Sequence, residues 1–381
     1  MNVRNTRKPQ RRVEVRDWTR LGIQAYGDDN LYPLHIAGIV AASGTATLCL
    51  NRYARYVEGD GFRNIAISEE VVGREGLTLD GFLHAIVHDL CEFGGFAVHV
   101  NYNALGMVAE VNPVPFEQCR KGEEDDRGHV SEICTHPDWS GHMTRRGRPV
   151  RVEAENIRRW PVFDPRPEVV QAQMEAVGGI DKYHGQILYV SLDNNSYPVP
   201  LYDSCVTEIS TDEGLGNIKY RNVRNNFLTA GMLVVKRGAP DTGEHGEGGE
   251  DGGIRIEDLE QFQGDTRTGQ LLLIEVEDME DAPHVESFKA HNFDKEFTAT
   301  DTSTVERIYA QFHQEAFYAL RTGRTGFSTE NNRSAHEAYV GEVTYEQRFI
   351  ERVLDRLFKT WHDGVQRDFS IAPLRYITIG E

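Results

Sequence analysis

Apolar residues at spacings of three and four run through Leu79, Phe82, Leu83, Ile86, Leu90 and Phe93, which predicts an amphipathic helix over about 79–93. Gly94-Gly95 ends it. The period then drops to two: Phe96, Val98, Val100 and Tyr102 alternate with Ala97, His99 and Asn101, the pattern of a strand. Asn103 to Gly106 reads as a turn and Met107 to Val111 as the hairpin partner. Upstream, a helical stretch runs from Pro33, suited to a first helical position, to about Val57. Gly59-Asp60-Gly61 stops it, because glycine reaches left-handed backbone angles cheaply. Further short strands are expected near 129–135, 157–163 and 186–192, so residues 25–200 read as one α+β domain.

The second half has a different texture. Residues 203–230 are polar and helical, with a weak point at Gly214-Leu215-Gly216, and Met232 to Val235 is a short strand. Gly238 to Gly253 is rich in glycine and almost devoid of apolar residues, the composition of a mobile loop. A helix at about 255–264 and a strand at Leu271 to Val276 complete a small β-α-β unit. Two long helices follow. The first opens with a capping box, Ser303-x-x-Glu306, and carries Val305, Ile308, Tyr309, Phe312, Ala316 and Leu320. The second opens with Ser334-x-x-Glu337 and carries Tyr339, Ile350, Val353, Leu354, Leu357, Phe358 and Trp361. Between them, the stretch 321–333 places Arg321, Arg324 and Arg333 on irregular backbone. Two readings stay open there: ordinary surface arginines of a helical hairpin, or a loop projecting into a channel, where sparse positive charge touches phosphates without reading bases.

Charge sharpens this picture. The 381 residues carry a formal charge of −19, which argues against ordinary wrapping of duplex DNA but not against a protein past which DNA must slide. The charge is uneven. Arg4, Arg7, Lys8, Arg11, Arg12, Arg16 and Arg20 make the N-terminus basic, either a flexible tail or an arm that orders on a partner. From Ala239 to Glu286, 15 acidic residues face only Arg255 and Arg267. No run approaches the roughly 18 apolar residues of a membrane span, and the basic N-terminus leads into no apolar segment. The expectation is a soluble intracellular product of two or three domains.

Candidate chemistry is sparse. The chain has no GxxxxGK[ST], GxSxG or GxGxxG run, and His336-Glu337 lacks the second histidine of HExxH. The pairs Asp28-Asp29, Glu123-Glu124 and Asp125-Asp126 read as solvated loops, since neighbours on a strand point to opposite faces. His84 and His88 share one side of a helix in a packing or surface role. The five cysteines are scattered and read as packed thiols; Cys134 with His136 comes nearest to a metal pair and lacks further ligands. No enzyme activity, cofactor or metal is expected.

The order of these parts resembles that of tailed-bacteriophage portal proteins. The resemblance rests on the polar helix ending in Asn226-Phe227-Leu228-Thr229-Ala230-Gly231, the β-α-β unit after it, and the helix, loop and long helix to 361. The phrases Gly27-Asp28-Asp29-Asn30-Leu31-Tyr32-Pro33 and Gly59-Asp60-Gly61-Phe62 also resemble the starts of some portals. The resemblance implies a basic arm at 1–24, a strand-rich wing at 25–200, a first stem helix at 201–230 and a clip at 231–290. A second stem helix would follow at 291–320, a tunnel loop at 321–333, a long wing helix at 334–365 and a short tail with a minimal crown at 366–381. The implied function is a non-enzymatic, homo-oligomeric ring, a dodecamer, at one capsid vertex of a virion, assembled in the host cytoplasm. Double-stranded DNA would pass through it during packaging and ejection. Partners would be the terminase large subunit, the head-to-tail adaptor or connector, and the major capsid protein. Arg321, Arg324 and Arg333 would meet DNA, and Glu257, Asp258, Glu260, Glu275 and Glu277 would face the clip's partners. The alternatives are another phage structural protein, such as a connector or minor capsid protein, and a metal-dependent nucleic-acid enzyme using the acidic loops.

Overall fold

The computed structural model describes residues 15–145, 148–193, 196–224, 231–236, 271–276, 293–326 and 328–377. Val15–Trp18 (β1) and Ile23–Tyr26 (β2) pair antiparallel, and β2 is wholly buried. The expected basic arm therefore gives way to an ordered hairpin from Val15 onward; residues 1–14 lie outside the described ones.

The expected helix from 33 to 57 is two, Tyr32–Ala42 (α1) and Gly44–Glu58 (α2), meeting at 108°. Ser43 is the cause. Its extended backbone ends α1, and its hydroxyl accepts from the Ala46 amide at 3.0 Å as the N-cap of α2. A short helix, Ile65–Ser68 (α3), precedes Leu79–Phe93 (α4), which has the predicted bounds, a Thr78 cap on Gly81 and Gly94 at φ 76° behind it. All six of its predicted stripe residues are buried, each burial contributing about 1.5–3 kcal/mol.

Strands Gly95–Tyr102 (β3) and Val108–Val114 (β4) form the predicted hairpin. Cys119–Lys121 (β5), Glu132–Thr135 (β6), Thr144–Arg145 (β7), Arg148–Pro149 (β8) and Arg158–Pro161 (β9) follow, then helix Pro167–Val177 (α5) and strand Gln186–Ser191 (β10). They make antiparallel sheets ordered β10-β3-β4 and β5-β6-β9, with β7-β8 apart. Helix α5 is not in the sequence-based reading. It buries only Val170 and Met174, one turn apart, a stripe too thin to show as periodicity; Pro167 opens it.

The fold is α+β and divides into two compact units, Met1–Ser210 with Thr304–Glu381, and Thr211–Ser303. Helix Val206–Arg224 (α6) leads from the first into the second and runs unbroken through Gly214 and Gly216. In the second unit, Gly231–Lys236 (β11) and Leu271–Val276 (β12) pair in parallel, which requires a crossover rather than a tight turn. Helix Phe293–Gln311 (α7) returns to the first unit. The glycine-rich segment 238–253 and the expected helix at 255–264 lie outside the described residues.

The last helices also differ from expectation. The reading of one helix over 291–320 becomes α7 and a short helix Glu315–Arg321 (α8), and the long helix over 334–365 becomes Thr329–Glu342 (α9) and Thr344–Phe358 (α10), interrupted at Val343. Neither proposed capping box caps: Ser303 sits inside α7 and Ser334 inside α9, whose cap is Ser328, accepting from Asn331 at 3.0 Å. The tail from 366 is not free through residue 377. Ala372 exchanges backbone bonds with Asp60 and Gly61 at 2.9 and 2.8 Å, and Arg63 donates to Ser370. Arg367, nearly buried, is held by Glu70 and Asp363, both at 2.6 Å.

Candidate nucleic-acid interface

The three arginines expected to meet DNA occupy three different settings. Arg321 is the last residue of α8, Arg324 lies in the connection 322–328, and Arg333 is inside α9. The irregular stretch is thus shorter at both ends than 321–333. Gly323 and Gly326, at φ 74° each, turn the chain, and the Asn331 side chain donates to the Thr325 carbonyl at 2.6 Å.

What places this connection is the break between α7 and α8. His313 takes a left-handed φ of 56°, and Gln314 donates its backbone N–H to Tyr309 at 2.8 Å. The Gln314 side chain is fully buried and fully used. Its amide nitrogen donates to the Cys49 carbonyl and to Tyr339 Oη, both at 2.8 Å, and its oxygen accepts from Arg52 at 3.0 Å. Tyr339 Oη in turn donates to Phe312 O at 3.0 Å, closing the knot. Apolar periodicity continues through Phe312 and Ala316, so nothing in the sequence marks Gln314 as the residue that stops a helix.

Arg321 and Arg324 both fold back onto α7. Arg321 donates to Tyr309 Oη at 2.9 Å; Arg324 donates to Glu306 at 2.9 Å and lies 5.2 Å from the Tyr318 ring centre. Arg333 instead pairs with Glu337 one turn along its own helix at 3.0 Å, so the structure does not gather the three into one site. The Arg324 and Arg333 pairs are about half exposed or more, a setting in which water and salt screen the attraction and a guanidinium exchanges one anionic partner for another at little cost.

Of the acidic residues assigned to partner docking, Glu275 lies on β12 opposite Val235. Glu257, Asp258, Glu260 and Glu277 lie outside the described residues. His84 and His88 lie on the surface against Glu58 and Glu92, and the five cysteines are free and buried. His136 is buried and hydrogen-bonded to backbone on both ring nitrogens. Among the described residues no group of three or more His, Cys, Asp or Glu is placed to hold a metal ion, and no single helix is long and apolar enough to cross a membrane.

No protein-family profile matches the chain, and no curated protein does. Solved structures do. A chain from the virion of a native gene transfer agent particle aligns with a TM-score of 0.46 at 12% identity, covering 88% of this chain and 82% of that one. A chain from the neck of the native particle, computed with C12 symmetry, gives 0.44 at 11%, covering 86% and 81%. One from the neck of the empty particle, computed with C6 symmetry, gives 0.46 at 11%, covering 87% and 82%.

Proposed function

We propose that this chain is the subunit of a portal ring in a tailed-phage-like particle, a non-enzymatic conduit for double-stranded DNA. The observation that supports it is the order of parts. One α+β unit is interrupted by a second unit, which two polar helices enter and leave and which holds a parallel strand pair. The returning helix breaks at Gln314, and an arginine-bearing connection leads into α9 and α10. That is the succession wing, stem, clip, stem, tunnel loop and wing helix. The packing of α6 fits the same reading: Ile209 and Leu215 are buried, whereas Ile218 and Tyr220 farther along stand 47% and 61% exposed, a surface that neighbouring copies in a ring would cover. On this reading the acidic second unit docks the terminase motor during filling and the connector afterwards. The first unit faces the capsid.

Native mass spectrometry with negative-stain imaging tests it directly. The expected species is a ring of about a dozen 43.1 kDa chains around a central hole; a monomer or dimer at high concentration would remove the reading. Within such a ring, replacing Arg321 and Arg324 together by Ala is expected to leave assembly intact and to lower packaged or retained DNA severalfold. Both arginines are exposed, and their partners, Tyr309 Oη and Glu306, sit on α7. Loss of the ring in that variant would make both residues structural.

A further inference from the structure

Besides the basic N-terminus, the chain's acidity is broken by one internal run. Between Met143 and Trp160 it carries six arginines, Arg145, Arg146, Arg148, Arg151, Arg158 and Arg159, against Glu153 and Glu155. The fold folds this run back on itself. Strands β7 and β8 set Arg145 opposite Arg148 in register. Buried His136 accepts from the Asp138 amide on Nδ1, which leaves Nε2 to donate to the Arg151 carbonyl at 3.3 Å and fixes that part of the chain. Pro149, Val150 and Asn156 then line, with Arg158, a concavity of about 480 Å³.

Arg158 also rims a second concavity, of about 470 Å³, with Arg159, Trp160 and His184. On β9 alternate side chains share a face, so Arg158 and Trp160 lie together, about 7 Å apart along the strand. Arg159 between them is committed to Glu132 and to the Leu21 carbonyl, at 2.7 Å for the latter. Arg158 is exposed, and its side chain has no hydrogen-bond or ion-pair partner among the described residues. Trp160 is held in place: its indole N–H donates to Thr135 at 2.9 Å, and the His99 and His184 rings meet it edge-on at 4.7 and 6.5 Å. A fixed aromatic ring beside an uncommitted guanidinium, on a locally basic surface of an acidic protein, asks for an anion that carries a flat apolar group.

We propose that this β9 face is a polynucleotide contact, with a backbone phosphodiester on Arg158 and a base or sugar against Trp160. The separation of the two positions is of the order of one nucleotide, and base stacking with backbone charge is how such surfaces hold strands without reading sequence. An acidic peptide would satisfy the cation alone and add nothing at the ring. The inference rests on the conduit reading and deepens it by giving the first unit its own DNA contact, away from the connection at 322–328.

Fluorescence anisotropy of a short labelled oligonucleotide on the full-length protein at low salt tests it, with the same sequence as single strand and as duplex. Arg158→Ala, a surface change that threatens no core, is expected to weaken binding about tenfold and to reduce the salt slope by about one. Trp160→Phe, which keeps a ring, is expected to bind within about twofold of the parent. A larger Arg158→Ala loss on the single strand assigns the contact to an unpaired segment, and equal losses assign it to duplex backbone; either supports the site. Unchanged affinity in Arg158→Ala overturns it. So does a polyglutamate peptide that binds as tightly and is lost in the same variant, which would make the partner an acidic protein. Rings that bind no oligonucleotide through Arg158 would overturn this inference alone, while a monomer that does bind would overturn the portal reading alone.

Discussion

Replacing Arg120 by Met is expected to cost the first unit about 3 kcal/mol, read as a lower denaturation midpoint at unchanged slope. Arg120 is fully buried on β5, and none of its bonds among the described residues goes to a carboxylate. Its guanidinium is instead spent on four neutral acceptors. Nε donates to Asn30 Oδ1 at 2.5 Å and one terminal nitrogen to the Asn30 carbonyl at 2.6 Å; the other reaches the Glu117 and Cys119 carbonyls at 2.9 and 2.7 Å. Tyr26 and Trp139 lie 5.6 and 5.1 Å from its carbon, sharing the charge with their ring faces. Methionine fills similar space but strands these acceptors away from water at about 1–3 kcal/mol each, partly offset because a charge no longer has to be desolvated. The Asn30 contacts matter most, because Asn30 sits at φ 64° and its side chain also accepts from the Tyr26 amide at 3.0 Å. Without Arg120, the turn that aims α1 loses its anchor. Arg120→Lys should fall between the two, since an ammonium has three donors for four acceptors. A Met variant as stable as the parent would show the turn to be held by its own chain.

The same residues show how much of the fold is legible in the sequence. The phrase Gly27 to Pro33 stands out there, as do the stop at Gly59 and the 79–93 stripe, because turn glycines and apolar periods are local signals. Arg120 is not local: it reads as one more charge in a short strand, and its role depends on a loop 90 positions earlier that only the folded chain brings near. Gln314 is hidden for a related reason. The apolar stripe runs on across it, and the break comes from α2 and α9 offering its amide better partners than a helix surface would. The sequence reading starts this helix at Ser334-x-x-Glu337; the structure caps it six residues earlier at Ser328, so Arg333 is helical. The β9 face leaves no mark in the sequence, because its arginines look like ordinary surface charge until the fold commits Arg159 to Glu132 and leaves Arg158 beside Trp160.

Gly59→Ala is expected to destabilise the protein by about 2–4 kcal/mol, although it adds a single methyl group. Gly59 ends α2 at φ 65°, where an L side chain is strained, and a Cβ built there would overlap the Ala372 carbonyl oxygen. That carbonyl accepts from Asp60, and its neighbours form the return of the chain onto residues 60–63, with Phe369 edge-on to Phe62 at 6.1 Å. The added carbon therefore strains a helix end and pushes the C-terminal segment off it, exposing Phe62, Phe369 and Ile371, all now buried. The same substitution at Gly341 supplies the control. Gly341 is inside α9 with ordinary backbone, and a Cβ there would meet nothing within 4 Å, so Gly341→Ala should stabilise by about 0.5–1 kcal/mol. Opposite signs from one chemical change would show that residues 366–377 belong to the first unit's core. If Gly59→Ala melted with the parent, the C-terminal return would contribute little, and the chain could be cut before Phe369 without loss.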